Sequence, residues 1–133
     1  MSGVIRSYKD LVVWQKGVDL VVDIYALTRR FPASERFGLS SQIQRSGVSI
    51  PANIAEGHGK SGPGHYLNHL SHAQGSLCEL ETLLTIGNRV GFVRGETHRA
   101  LSERTDEIGR MLRGLTNSVA ASGAKGLPYE PRG

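Results

Sequence analysis

The chain has 133 residues, enough for one domain with a single hydrophobic core and too few for two. Sixteen Lys and Arg face twelve Asp and Glu, a net charge of +4 that permits an acidic partner such as nucleic acid without requiring one. A single cysteine, Cys78, excludes an internal disulfide, and no apolar run approaches the roughly 20 residues that cross a bilayer. Met1 is not followed by an apolar signal segment, so the expectation is a cytoplasmic protein without membrane contact.

Four segments repeat apolar residues with the helical period, each laying one stripe on one face. In chain order the stripes are Leu11, Trp14, Val18, Val21 and Tyr25; Leu39, Ile43, Ser46, Ile50 and Ile54 or its neighbour Asn53; Tyr66, Leu70, Ala73, Leu77, Leu80 and Leu84; and Leu101, Thr105, Ile108, Leu112, Leu115 and Val119. Punctuation agrees with the stripes. Ser7 and Asp10 have capping-box spacing, Phe31-Pro32 closes the first segment, and Ser34-Glu35 can open the second. Pro63 suits a first helical turn and Gly91 a C-terminal cap. The reading is all-α: an antiparallel up-down-up-down four-helix bundle over residues 1–121, with helices near 8–31, 36–58, 63–90 and 95–121. Residues 122–133, rich in Gly and Pro, read as a loose tail.

One stretch resists the pattern. Residues 45–62, RSGVSIPANIAEGHGKSG, place Pro51 inside the second helix and end in Gly57, Gly59 and Gly62. Gly59-Lys60-Ser61 mimics the end of a phosphate-binding loop, but the first glycine of that loop would fall at Ile54, and no strand precedes it. The better reading is a continuous helix kinked near Pro51, with Ser46 and Ser49 available to freed backbone groups, and terminated by its glycines. Asn53 falls at the edge of the core stripe and Glu56 further out. Their main expectation is hydrogen bonding to neighbouring helices or subunits, with a polar recognition pair as the sharper alternative.

SIPANIAEG (49–57), with DLVVWQKGVDLVVDIY (10–25) before it and GSLCELET (75–82) after it, resembles the four-helix bundle proteins encoded in intervening sequences of bacterial 23S ribosomal RNA genes. The motif residues that carry the resemblance include Pro51, Asn53, Glu56 and Gly57. The resemblance implies an up-down-up-down bundle that assembles as a homopentamer, with no enzymatic activity and no cofactor. The chain is also similar to accessory variability proteins of diversity-generating retroelements, which implies nucleic acid and a reverse transcriptase as partners.

Other constellations stand on their own chemistry. His65, His69 and His72 share one face of the third helix at spacings that can chelate zinc, yet nothing identifies a fourth ligand, so no metal is assigned. A helical ribonuclease would want Arg and His separated by four to six residues. Arg94 and His98 have three between them and Arg89 and His98 have eight, so no catalytic residue is assigned.

Arg29, Arg30 and Arg36 flank the first connection, and Arg89, Arg94 and Arg99 flank the third. In an antiparallel bundle both connections share one end, so these six are the candidate nucleic-acid contacts, RNA or DNA. No aromatic interleaves with them, which points to backbone charge rather than base stacking as the means of recognition. Val13, Gly17, Leu20, Ile24, Leu27 and Phe31 make a second apolar stripe on the first helix, about 130° from the first at 100° per residue. That stripe is assigned to an oligomer interface through Val13, Leu20, Ile24, Leu27 and Phe31, because one bundle face does not easily bury both. The competing class is a structural protein–protein interaction module without a nucleic-acid role.

Overall fold

The computed structural model describes residues 4–59, 62–123 and 127–131. Lys60 and Ser61 of the loop-like tripeptide, and Ala124 to Gly126 of the expected tail, lie outside the described residues. Four helices carry the fold: α1 (Val12–Thr28), α2 (Leu39–Gly59), α3 (Pro63–Arg89) and α4 (Gly95–Ser122). Short 3-10 turns at Tyr8–Asp10 and Ala33–Glu35 lead into α1 and α2. Among the described residues the remaining pairing is one isolated antiparallel bridge between Val4 and Tyr129.

Contacts between consecutive helices give their direction. Gly17 of α1 lies against Pro51 of α2, while Ile24 lies against Gly47 and Thr28 bonds Gln44, so the two helices run in opposite senses. Asn53 meets His69, Ser49 meets Ser76 and Leu39 lies near Gly87, which makes α2 and α3 antiparallel as well. Thr85 with His98 and Glu81 with Thr105 do the same for α3 and α4. Ion pairs Asp23–Arg104 and Lys16–Glu107 join α4 back to α1. Half-exposed pairs like these add little stability; the core does the holding.

That core contains most of the second, third and fourth stripes: Ile43, Ile50, Ile54, Tyr66, Leu70, Leu77, Leu80, Ile108, Leu112 and Val119 are all buried. The first helix corrects the sequence reading. Val13, Leu20 and Ile24 are 0% exposed and Phe31 is buried within the chain's own bundle, with Leu27 packed beside them, so this stripe is core and not a free oligomer surface. Val22 and Tyr25 stand exposed on the other side, with Trp14, Val18 and Val21 half-buried. The physical reason is the packing against α2. At Gly17 a Cβ would sit 3.4 Å from the Pro51 ring. That is ordinary contact distance: this face packs on α2 at Gly17–Pro51 and at Ile24–Gly47, which covers the Val13–Ile24 stripe.

α2 runs unbroken across Pro51. Asn53 Nδ2 donates to the Ser49 carbonyl (2.8 Å) and to the Ser49 hydroxyl (2.9 Å), a local bonding pattern around the proline turn. Gly57 is required by proximity: a Cβ there would lie 2.7 Å from the His69 Cβ and 3.1 Å from the Tyr66 ring. The motif therefore packs α2 between α1, at Pro51, and α3, at Gly57.

The capping box forms as its spacing suggests, with Asp10 accepting from the Arg6 and Ser7 amides; these bonds hold its carboxyl below the usual carboxylate range. It caps the short turn at Tyr8–Asp10 rather than α1 itself. The first amides of α1 are instead bound from the far end of the chain: Val12 and Val13 N–H donate to the two carboxylate oxygens of Glu130, the latter at 2.9 Å. The Ile5 N–H donates to the Pro128 carbonyl at 2.8 Å. Pro128 to Glu130, expected in a loose tail, are thus docked on the N-terminus of α1, because a carboxylate there satisfies orphan amide donors and the helix dipole together.

Candidate nucleic-acid interface

Local structure gathers the arginines. α3 ends in a paired cap: the Phe92 N–H donates to the Gly87 carbonyl (2.8 Å) and the Gly91 N–H to the Asn88 carbonyl (3.1 Å), with Gly91 at φ 90°. That geometry needs a left-handed residue, and glycine supplies it without strain. The reversal puts Phe92 against Phe31, ring centroids 5.5 Å apart, and Val93 into the core beside Gly87. The first and third connections are therefore clasped together at one end of the bundle, and their charged residues form one rim.

Arg29, Arg30, Arg36, Arg89, Arg94 and Arg99 are all exposed on it. Residues 28–38 and 88–99 hold these six arginines and two acids, Glu35 and Glu96, and so carry the whole net charge of +4; the other ten basic and ten acidic residues balance. Among the described residues, ion pairs occur at Lys16–Glu107, His69–Glu56 and Arg104–Asp23, and none involves a rim arginine. Glu35 is half-exposed, its Oε1 accepting from the Leu39 N–H at 3.3 Å in the first turn of α2. Helix dipoles explain part of this arrangement: Arg29 and Arg89 sit at the C-terminal ends of α1 and α3, where a cation is favoured. Arg36 precedes α2 and Arg94 is the N-cap of α4, positions where a cation is disfavoured and an anion attracted. Each of these termini also carries an acid: Glu35, ahead of α2, accepts from the Leu39 N–H, and Glu96 lies in the first turn of α4.

The polar residues of the motif are engaged elsewhere. Asn53 Oδ1 lies 2.9 Å from His69 Nδ1, and Glu56 is 3.9 Å from the same nitrogen. The Ser76 hydroxyl donates to the Ser49 hydroxyl at 2.7 Å. Asn53 thus links α2 to α3 by a hydrogen bond, as the main sequence expectation has it, while Glu56 is exposed beside His69 without a hydrogen bond to it. His69 faces this network; His72, whose ring centroid is 6.5 Å from that of His69, is exposed, as is His65. Among the described residues no three His, Cys, Asp or Glu are grouped as metal ligands. No described helix is long and apolar enough to cross a membrane.

The fold and its site define an all-helical bundle protein with one cationic end and an internally satisfied polar seam. The chain belongs to the 23S rRNA-intervening sequence protein family, whose model matches residues 9–114. It is similar to the crystal structure of a protein with unknown function from the S23 ribosomal protein family of Bacteroides thetaiotaomicron VPI-5482, at 28% identity and a TM-score of 0.75, over 80% of this chain and 96% of that one. No curated protein matches the chain.

Proposed function

We propose that the protein is a non-enzymatic, homo-oligomeric bundle that binds nucleic acid through its arginine rim. The observation that carries this reading is the charge distribution: all of the net +4 lies at one end, on exposed side chains without acidic partners among the described residues. Backbone phosphates suit such a surface, because arginine forks match phosphate oxygens and each neutralised phosphate releases counterions. The name of the family, tied to 23S rRNA intervening sequences, fits an RNA-associated role. The polar groups of the motif are engaged with one another, which supports reading the motif as structural.

Self-association would multiply the field of each rim. Its candidate surface is now the outer face of α1 and α2, where Val22, Tyr25 and Val48 are exposed. Five subunits are what the family resemblance implies. The same apolar face favours the second reading, a protein-interaction module, if its occupant is another protein. Native mass spectrometry decides between monomer and oligomer, and Val22→Asp is expected to dissociate the assembly while leaving the helical signal intact.

The deciding experiment for the rim is a salt titration against single-stranded RNA, duplex RNA and DNA. Log affinity is expected to fall linearly with log salt. Changing Arg29, Arg30, Arg89 and Arg94 to Ala should reduce the slope by about four, roughly one for each phosphate that is no longer neutralised. Absence of binding by the wild type at low salt, or equal binding by the variant, refutes the arginine rim and leaves the protein-interaction module.

A further inference from the structure

Phe37 is 89% exposed, far more than any other phenylalanine in the chain: Phe31 is buried and Phe92 half-buried. It stands between the Ala33–Glu35 turn and α2, within the arginine rim, so an aromatic does interleave with the basic residues there. The guanidinium carbon of Arg36 lies 5.3 Å from its ring centroid, over one face, and the high exposure leaves the rest of the ring to solvent. Beside it opens a cavity of about 440 Å³ whose wall includes Arg29, Arg36, Ser41 and Gln44. The one acid nearby, Glu35, is held in the first turn of α2.

A bare aromatic among arginines fits two kinds of partner unequally. Covering Phe37 with an apolar protein surface would also bury neighbouring guanidinium groups without counter-charges, at a desolvation cost. A nucleotide presents a flat π-face and a phosphate together, so it satisfies ring and guanidinium at once. Bases inside a duplex are stacked on each other and offer no free face, whereas unpaired bases do.

We propose that Phe37 is a base-stacking residue and that the rim takes single-stranded nucleic acid in preference to duplex. An unpaired base lies on the open face of Phe37, Arg29 and Arg36 hold the flanking phosphates, and Ser41 and Gln44 offer hydrogen bonds to its edge. This rests on the rim reading and adds to it the strandedness of the ligand.

The test compares full-length wild type with Phe37→Ala, Phe37→Leu and Phe37→Tyr by fluorescence anisotropy, using a labelled single-stranded oligonucleotide and a blunt duplex, as RNA and as DNA. Phe37→Ala and Phe37→Leu should weaken single-strand binding by about 5- to 100-fold, the range expected for removing one base stack, and Phe37→Tyr should restore it. Duplex affinity and the salt slope should stay unchanged, because every phosphate-facing arginine is still present. Since the side chain is exposed, all three variants should melt like wild type. If Phe37→Ala binds the single strand as tightly as wild type while the arginine variant does not, stacking is refuted and the rim stands. If wild type binds neither strand form, both fall. If Phe37→Ala changes subunit number instead, the residue is a subunit contact and the stacking role is overturned.

Discussion

Around the start of α1, charged and polar groups are spent on one another. Glu130 receives two amides of α1, Asp10 receives two amides ahead of it, and Tyr66 is buried nearby with the Glu130 charge acting on it. At the opposite end the closure is apolar, made by Phe31 on Phe92 and Val93 against Gly87, while six arginines stay outside it. Both ends face the same task of covering helix termini. One does it with the carboxylates of Asp10 and Glu130; the other has Glu35 on the first turn of α2 and Glu96 in that of α4, and leaves six exposed arginines without ion pairs among the described residues. The contrast separates polar residues engaged within the molecule from charged residues left exposed at its surface.

The largest effect is expected in the middle, which both ends share. Leu20→Asp puts a carboxylate into a fully buried position and should unfold the bundle, a loss on the order of 4–5 kcal/mol or more, seen as a collapsed thermal melt in circular dichroism. If Leu20→Asp stays folded, the inward assignment of this stripe is wrong. The two ends themselves are contrasted by charge. Arg110→Ala with Arg113→Ala, on exposed positions of α4 towards the far end, should leave nucleic-acid affinity nearly unchanged, whereas the four rim substitutions should not. Equal losses would dissolve the comparison.

Packing offers a smaller contrast. Gly57→Ala drives a methyl to 2.7 Å from a Cβ fixed on α3 and should destabilise by about 1–3 kcal/mol. Gly87→Ala meets a buried Val93 methyl at 2.9 Å, slightly further than the Gly57 contact, so its loss should be similar or somewhat smaller in a denaturant titration. Glu130→Gln keeps the shape but removes the charge at the α1 terminus; about 0.5–2 kcal/mol is expected, with faster amide exchange at Val12 and Val13. Tyr66 gives the narrowest effect. Burial, and secondarily Glu130, raise its phenol above the ordinary value of about 10, so its contribution is complete below that pH and lost as pH climbs beyond it. Tyr66→Phe should flatten that alkaline loss in melts run from neutral to alkaline pH.

Much of the fold was legible because the helical period is a local signal. α3 begins at Pro63, where its proline suits a first turn, α4 begins at Gly95 as the apolar period implies, and the stripe residues of both are buried. α1 was legible as a helix but not in its orientation. Its two stripes are similarly apolar, and the inner one is the face that packs on α2, through contacts such as Gly17–Pro51 that span 34 positions. Gly17 was the available clue, since a glycine within an apolar stripe marks close packing. The Glu130 cap had no local signal at all, lying 117 residues from Val13. At the rim, the shared end of the six arginines was readable from the antiparallel order of the helices. The exposure of Phe37 was not, because Phe31 and Phe92 in the same connections turn inward.

The pairing of Ile5 with Pro128 and of Val4 with Tyr129 brings both outer segments of the described chain together at the start of α1, one helix length from the rim. A tether, tag or fused domain attached through either segment therefore leaves the molecule on the side away from the arginines. Copies anchored to a bead or a sensor chip by either route would all display the cationic end outward, and a bulky fusion would not shade it.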